Sequence, residues 1–427
     1  MRVSRMRSPS KATAYAPSLC VRMASGTAGS LVGLDGADSG RIQVRLLESS
    51  AMSALDPLPV ATSPPKERVA YLDNARYWVM LLVVIGHSLT ELVVMDSAKG
   101  VYTWIYLFHM PFFILISGYT ARHYIGDFRQ IRRIVSTLIV PYLLVELSLQ
   151  LITRHYDGKP ENLMILSPQW LGWFLAALFI WRITTPIWRA LKYPITTSIV
   201  ISLLAGLIEI PNVLALPKVL ALLPFWVIGL HMNRELFMRL GDVRIRIASV
   251  VVLVTSFVIC QLYASDWTTQ WLLWKDRYSE DPLDASPWGG IATRGSLLLV
   301  GALLTFATLS LIPRARSITT VLGGRTFYCY LLHGFIIILL DRQFDLWARL
   351  EQYGAASVVG CMVVAVVVAN LLMTKPVSTA FRPLFEPKLT WLFREAEPPS
   401  VRVPASSVEA AAATPTAAAT QAPVTAP

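Results

Sequence analysis

The sequence has few charged side chains. Asp, Glu, Lys and Arg together make up 15% of its 427 residues, whereas 54% are hydrophobic. A soluble domain carries about 25% charged residues. The low charge content therefore excludes an ordinary soluble protein and predicts an all-α, polytopic protein of the cell membrane.

Cysteines and common catalytic motifs are also scarce. Three of the four cysteines lie in apolar segments, so we expect small core side chains, no disulfide and no metal site. A Walker A loop, a GxGxxG turn, an HExxH motif and an internal repeat are all absent. The sequence signs of nucleotide-binding folds and zinc hydrolases are therefore missing. The cysteines are Cys20, Cys260, Cys329 and Cys361, with no CxxC pair.

Neither end of the chain contains a long apolar run. Residues 1–66 contain no apolar core of about 7–15 residues, which argues against a secretory signal. We interpret them as a disordered extension, with Met52 as an alternative start; a transit peptide is the other interpretation, because Arg and Ser are frequent there. Residues 391–427 are rich in Pro, Ala and Thr and are predicted to be a disordered tail. The membrane domain then occupies 67–390.

Ten apolar segments lie between these ends, and we predict that each crosses the membrane. Basic residues concentrate in alternate loops, whereas the loop 266–290 holds five acidic residues against Lys275 and Arg277. By the positive-inside rule, both termini are predicted to be cytoplasmic. The positive charges behind the net charge of +11 lie in short loops between apolar segments, which is typical of membrane topology; we therefore expect membrane lipids and no nucleic acid as partners. The segments are about 77–96, 103–121, 134–153, 170–190, 194–210, 216–232, 247–265, 291–312, 326–341 and 355–374.

The first apolar segment carries an arginine and a histidine at helical spacing. Arg76 and His87 are eleven residues apart. On a helix this is about 1100°, roughly 20° past three turns, so both side chains share one face about 16 Å apart. His87 then lies near the bilayer midplane, where an ionisable group is a functional candidate. The structural alternatives are a buried, hydrogen-bonded histidine and an arginine that pairs with Asp73 at the cytoplasmic surface.

Other polar residues near this segment are candidates for the same site. Glu91 follows His87 by four residues, so on a continuous helix it would share the face of His87 and orient its ring. A histidine held by a carboxylate is a common general base. His109, in the second segment, is predicted either to contact substrate or to bond the carbonyl freed by Pro111. Ser117 and Gly118 would allow close helix approach, and His333 lies midway along its own segment.

Three arginines open the third segment. Guanidinium groups match phosphate oxygens, so Arg129, Arg132 and Arg133 predict a cytoplasmic pocket for a phosphate-bearing molecule. Contact with anionic lipid is the alternative.

The ordered set of motifs resembles the acyltransferase 3 family of membrane acyltransferases, and most closely its fucose 4-O-acetylase-like branch. Arg76, ten residues and His87 resemble the family's R-x10-H signature. FHMPFFILISGY at 108–119 resembles its second-helix motif, and Arg129-Gln-Ile-Arg132 its R-x-x-R motif. Pro141-Tyr142, Trp173-Phe174-Leu175, Leu223-Pro224-Phe225 and Tyr330-Leu-Leu-His333-Gly334 follow in the same order, and the resemblance covers about 67–390.

This resemblance implies ten transmembrane helices and an acyl-coenzyme A donor, usually acetyl-CoA. It implies transfer to a hydroxyl of a carbohydrate or glycan, often lipid-linked. His87 would be the catalytic base and Arg76 its partner, while Arg129 and Arg132, with the adjoining Arg133, would bind the coenzyme A phosphates. His109, Ser117 and His333 are the candidate substrate contacts.

Two other functions remain open on the sequence. A transporter or flippase would also use buried charges among many helices, although it usually shows repeat symmetry. A non-catalytic partner of a glycan synthase would tolerate substitution of Arg76 and His87. The favoured hypothesis is an O-acyltransferase in which His87 takes the proton of the acceptor hydroxyl.

Overall fold

The structure is a computed structural model that describes residues 70–157 and 164–393. This part of the chain consists of helices and turns without a β-strand, as the all-α prediction requires. The predicted N-terminal extension at 1–66 and all but the first three residues of the predicted tail at 391–427 lie outside the described residues.

The helices vary in length from single turns to long rods. Short 3₁₀ turns lie at Thr90–Leu92, Val213–Ala215 and Thr269–Leu273, and a π-helical stretch, Val135–Ile139, joins α3 to α4. The helices are α1 Ala70–Ser88, α2 Asp96–Ala121, α3 Phe128–Ile134, α4 Val140–Asp157, α5 Gly172–Ala190, α6 Pro194–Ala205, α7 Leu216–Ala221, α8 Leu223–His231, α9 Arg234–Arg239, α10 Val243–Leu262, α11 Pro287–Leu311, α12 Ile318–Gly323, α13 Thr326–Phe344, α14 Leu346–Glu351, α15 Ala355–Leu372 and α16 Lys375–Phe385.

Six of the described spans are long and apolar enough to cross a membrane: α2, the continuous α3–α4 rod, α10, α11, α13 and α15. The pair α7–α8 would make a seventh, although it bends by 63°. These helices indicate a membrane protein, whereas the predicted ten spans and the orientation of the termini stay predictions. Two predicted segments are wrong as continuous spans. Segment 77–96 is interrupted because α1 ends at Ser88, and segment 216–232 is broken at Leu222.

Helix α1 lies at the centre of the fold, in contact with α2, α12, α13 and α15. Near its start, Asn74 donates hydrogen bonds of 2.8 and 3.0 Å to two carbonyls of the loop before α12 and accepts one from Thr320. At its end, Trp347 Nε1 donates to the carbonyl of Ser88 at 2.6 Å. Because both ends of α1 are bonded to other parts of the fold, the position of His87 along the helix axis is fixed.

Two glycines allow α2 and α8 to pack in close contact. A Cβ atom at Gly229 would lie 2.1 Å from the Leu115 carbonyl oxygen, and one at Gly118 would lie 2.4 Å from the Trp226 carbonyl oxygen. No real Cβ fits at such distances, so only glycine permits this approach. The close helix approach predicted at Ser117-Gly118 is therefore confirmed.

The chain between α10 and α11, residues 263–286, folds back onto the helices. Arg294 of α11 is buried; its Nη2 donates to the Asp276 carbonyl at 3.3 Å, and its guanidinium lies 4.7 Å from the Tyr278 ring centroid. The Tyr278 amide donates to the carbonyl of Gly206, just after α6, at 2.9 Å. These bonds hold the loop in place over one end of the helices.

Candidate active site

Three histidines from different helices meet beside the end of α1. His87 of α1 and His333 of α13 are joined by their ring nitrogens, with His333 Nε2 and His87 Nδ1 3.2 Å apart. The ring centroid of His109, from α2, lies 6.5 Å from that of His87. The structure thus brings together three residues that the sequence predicted separately. In the described part of the chain, no group of His, Cys, Asp or Glu is arranged to hold a metal ion.

The hydrogen bonds of these rings assign their neutral tautomers. His333 Nδ1 donates to the Cys329 carbonyl at 2.9 Å, so its Nε2 carries the lone pair. His87 Nδ1 must then hold the proton and donate it to His333. Nε2 of His87 keeps its lone pair and has no hydrogen-bond partner among the described residues. A ring nitrogen held in this state is suited to accept a proton.

A cavity of about 210 Å³ adjoins His87 and His109. Trp170, just before α5, stacks on the His87 ring with centroids 5.0 Å apart and planes 29° apart. The loop 263–286 covers the cavity with residues 272–275. The wall is therefore mostly apolar and rich in aromatic rings, with a few polar groups, as is usual for small-molecule sites. Its other side chains include Tyr106, Phe113, Trp173, Phe174, Lys218 and Tyr330.

A buried carboxylate fixes the turn that carries Trp170. Glu146 of α4 is fully buried, and both of its oxygens accept from the Gln169 amide at 3.0 Å. Gln150 Nε2 donates to the same carboxylate at 2.8 Å. Because Trp170 follows Gln169 directly, Glu146 positions the indole that covers His87. These partners also mean that Glu146 is not the ion-pair partner of Arg182, which the sequence alone would allow.

A second cavity, of about 400 Å³, lies on the side of His333 between α13 and α15. Its wall is mostly apolar, and its few polar groups are Ser88, His333, Ser357 and the hydroxyl of Tyr353. A Cβ at Gly360 would meet no atom within 4 Å, so this part of the cavity is open. The histidine pair therefore stands between an aromatic cavity and an apolar one.

Arginines gather at the opposite end of α1. Arg76 Nη1 donates to Asp73 at 2.8 Å, which confirms the predicted ion pair. Arg182 of α5 is partly buried, and the charges of Arg133 and Arg76 both act on it. Its buried Nε has no hydrogen-bond partner among the described residues. One continuous helix thus connects a cluster of guanidinium groups to His87, as the spacing of Arg76 and His87 predicted.

Comparison with known proteins decides the family. Residues 69–374, well over half of the chain, match the acyltransferase domain of acyltransferase 3. The chain belongs to the acyltransferase 3 family. It is also similar to the nodulation protein NolL of Sinorhizobium fredii, with 25% identity over 331 residues, covering 70% of this chain and 87% of NolL. No solved structure matches it. Family membership indicates that this acyltransferase is an enzyme that transfers acyl groups.

The prediction that Glu91 shares the face of His87 is wrong. In this acyltransferase α1 ends at Ser88, and Glu91 lies in the 3₁₀ turn Thr90–Leu92 with its side chain exposed. Helical spacing therefore stops one residue after His87. The residue that bonds Nδ1 of His87 is His333, from a helix far away in the sequence.

The remaining predicted residues divide between the site and its surroundings. Ser117 is eight residues beyond His109 on α2, about 12 Å along the helix axis, and is not part of the wall of either cavity near His87. Arg132 donates to the Lys388 carbonyl at 2.8 Å, and Arg129 is exposed. Arg133 is the member of this trio whose charge acts on Arg182.

Sequence reasoning missed Lys218, Trp170 and the positioning role of Glu146. A lysine inside the apolar segment 216–232 is a signal that was available, because intramembrane charges are costly. Trp170 carries no comparable signal, since tryptophans are common at the ends of membrane helices.

Proposed function

We propose that this acyltransferase moves an acetyl group from acetyl-coenzyme A to a hydroxyl of a carbohydrate, with His87 as the general base. The hydroxyl proton passes to Nε2 of His87 while the oxygen attacks the thioester carbonyl. The carbon–sulfur bond of the tetrahedral intermediate then breaks, and the thiolate takes the proton from His87. This direct transfer balances in atoms and charges and forms no covalent acyl-enzyme intermediate. The observation that carries this proposal is the lone pair held at His87 Nε2 by the bond to His333.

The aromatic cavity supports a sugar as the acceptor. Indole and phenol rings present flat apolar faces with polar edges, which suit the alternating C–H and hydroxyl groups of a pyranose. Trp170 lies directly on the His87 ring, so a sugar in this cavity would hold a hydroxyl near the base. His109 is also in the wall; its Nδ1 donates to the Ile105 carbonyl at 2.9 Å, which leaves Nε2 as an acceptor for a second hydroxyl.

The arginine cluster supports a donor that carries several phosphates. Guanidinium forks pair with phosphate oxygens, and Arg182 has a buried N–H without a partner in the described structure. The charges of Arg76 and Arg133 act on Arg182. Arg129 and Arg132 are close to Arg133 in the chain and are also proposed to bind the donor. The extended pantetheine arm would follow α1 from this cluster toward His87, and the thioester would meet the sugar there.

The proposal is tested with His87→Ala. Membranes containing the variant receive acetyl-coenzyme A labelled in the acetyl group, and label in carbohydrate is measured. General-base catalysis contributes about 10²–10⁴-fold, so we expect at least a 100-fold loss. The matched control is His155→Ala, at an exposed position on α4, which should keep the wild-type rate.

Wild-type transfer by His87→Ala would refute the role of the base. Loss of 42-dalton additions from cellular glycans when the gene is deleted would identify acetyl as the group. Transport of a sugar without consumption of acetyl-coenzyme A would instead favour a flippase, for which the bend between α7 and α8 is the supporting observation.

A further inference from the structure

The aromatic cavity contains positive charges that the transfer reaction does not need. Its wall includes Lys218 of α7 and Lys275 of the covering loop, but no aspartate or glutamate. Lys218 Nζ lies 4.8 Å from the Trp173 ring centroid. Within the described residues, no carboxylate oxygen comes within 4.0 Å of it. A lysine inside a bent, largely apolar helix pair is costly, and an anionic ligand would offset part of this cost.

The surrounding fold holds the backbone near Lys218 in place. Trp181 Nε1 donates to the carbonyl of Val219, the next residue, at 3.1 Å. Ala215, at the start of α7, has a left-handed φ of 56°, a conformation that non-glycine residues rarely adopt without tertiary support. The charge of Lys218 acts on His87, so the ammonium group belongs to the same site as the base.

The covering loop adds a second lysine and an indole N–H donor to the cavity. Lys275 has only a long contact of 3.9 Å with Asp276, whose carboxyl is not part of the cavity wall. Desolvation raises the pKa of Asp276 against the opposing effect of Lys275 and Lys218, and its charge acts on Lys218 at longer range. Trp274 is buried in the wall, and its indole N–H has no acceptor among the described residues. The cavity therefore offers cations and an unused donor.

We propose that this cavity binds an anionic saccharide, whose carboxylate or phosphate is held by Lys218 and whose ring lies against Trp170 and Trp173. Lys275 closes the site from the loop and contributes a second positive charge. The inference depends on the proposed function only for the claim that the bound sugar is also the acyl acceptor. Within the described residues the charge of Asp276 acts on Lys218 only from beyond 4.0 Å, so an anionic ligand in the cavity would supply a closer counter-charge.

The test measures binding without any acyl donor. The full-length protein is placed in nanodiscs of uncharged phosphatidylcholine, and saturation-transfer NMR titrations give dissociation constants for methyl β-glucuronide, glucose 6-phosphate and methyl β-glucoside. The first two probes carry a carboxylate and a phosphate, and the third is their neutral counterpart. The variant is Lys218→Gln. The control is Lys192→Gln, because Lys192 also lies over an aromatic ring, at 5.3 Å from that of Tyr193, but is exposed and outside the cavity.

We expect at least one anionic probe to bind ten or more times more tightly than methyl β-glucoside, with an affinity that falls as salt is added. Lys218→Gln should remove this preference and leave binding of the neutral probe within twofold, while Lys192→Gln changes neither. The preferred probe distinguishes a sugar acid from a sugar phosphate.

Equal binding of charged and neutral probes, or no binding of any, would overturn the proposal. An unchanged preference in Lys218→Gln would overturn it as well. If Lys218→Gln lowered acetyl transfer without changing probe binding, the lysine would act on the transition state and not on an anionic sugar. Because these titrations contain no acetyl-coenzyme A, they stand or fall separately from the His87 test.

Discussion

His333 offers a sharp test of how His87 is activated. Replacing it by leucine removes the acceptor of the 3.2 Å bond and leaves the His87 Nδ1–H without its partner. An unsatisfied buried donor costs about 1–3 kcal/mol. The ring can avoid this cost by changing its tautomer, which puts the proton on Nε2, or by turning, which points the Nε2 lone pair away from the proposed acceptor hydroxyl. We therefore expect kcat to fall about 5- to 160-fold in His333→Leu.

A conservative replacement should rescue this loss. The amide oxygen of glutamine reaches nearly the place of the imidazole Nε2 and can accept the same hydrogen bond. His333→Gln should therefore recover most of the lost kcat, whereas KM for acetyl-coenzyme A should change little in either variant. A fall in kcat without a change in KM distinguishes loss of positioning of the base from a general loss of structure.

The assay is incorporation of labelled acetyl into carbohydrate by membranes with matched amounts of folded protein. His231→Leu is the control, because His231 on α8 makes the same bond to the carbonyl four residues earlier, at 3.0 Å, but does not contact His87. Full activity of His333→Leu, or equal loss in the leucine and glutamine variants, would refute the proposed role of the hydrogen bond.

Two further predictions concern residues that support the site. Glu146→Leu should release the turn at Gln169, move Trp170 away from His87 and raise KM for the acceptor substrate severalfold. Glu146→Gln keeps a hydrogen-bond acceptor and should have a smaller effect. Titration of the acceptor substrate measures both values of KM, and equal effects of the two changes would contradict the prediction. Arg182→Met should raise KM for acetyl-coenzyme A about 10- to 150-fold, since a charged hydrogen bond contributes about 1.5–3 kcal/mol, while Arg189→Met, near the same helix end, should not. An unchanged donor KM in Arg182→Met would refute the donor pocket.

Local spacing could be predicted from the sequence. Arg76 and His87 share one continuous helix because apolar residues surround them and the geometry depends only on residues within that helix. The ion pair of Arg76 with Asp73, the buried cysteines of the described chain and the close approach at Gly118 follow from similarly local rules.

Contacts between distant segments could not be predicted from local spacing in the sequence. The partner of His87 is 246 positions away in the sequence, so spacing favoured the nearby Glu91 instead. At the end of α1 the Ser88 carbonyl accepts a hydrogen bond from Trp347 of another helix, a contact that the local sequence does not predict. Lys218 becomes a site residue only because the bend after α7 turns it toward the cavity below the covering loop.

The bonding of α1 bears on the choice between an enzyme and a transporter. Alternating access requires a central helix to rock or slide, which breaks contacts at one of its ends. Here the bonds of Asn74 fix the start of α1 and the bond from Trp347 fixes its end, so movement would cost buried hydrogen bonds at both. A helix bonded at both ends would instead keep His87 at a constant separation from donor phosphates at the arginine cluster, as the proposed transfer between two bound substrates requires. The rigidity of α1 therefore favours catalysis at a fixed site over transport.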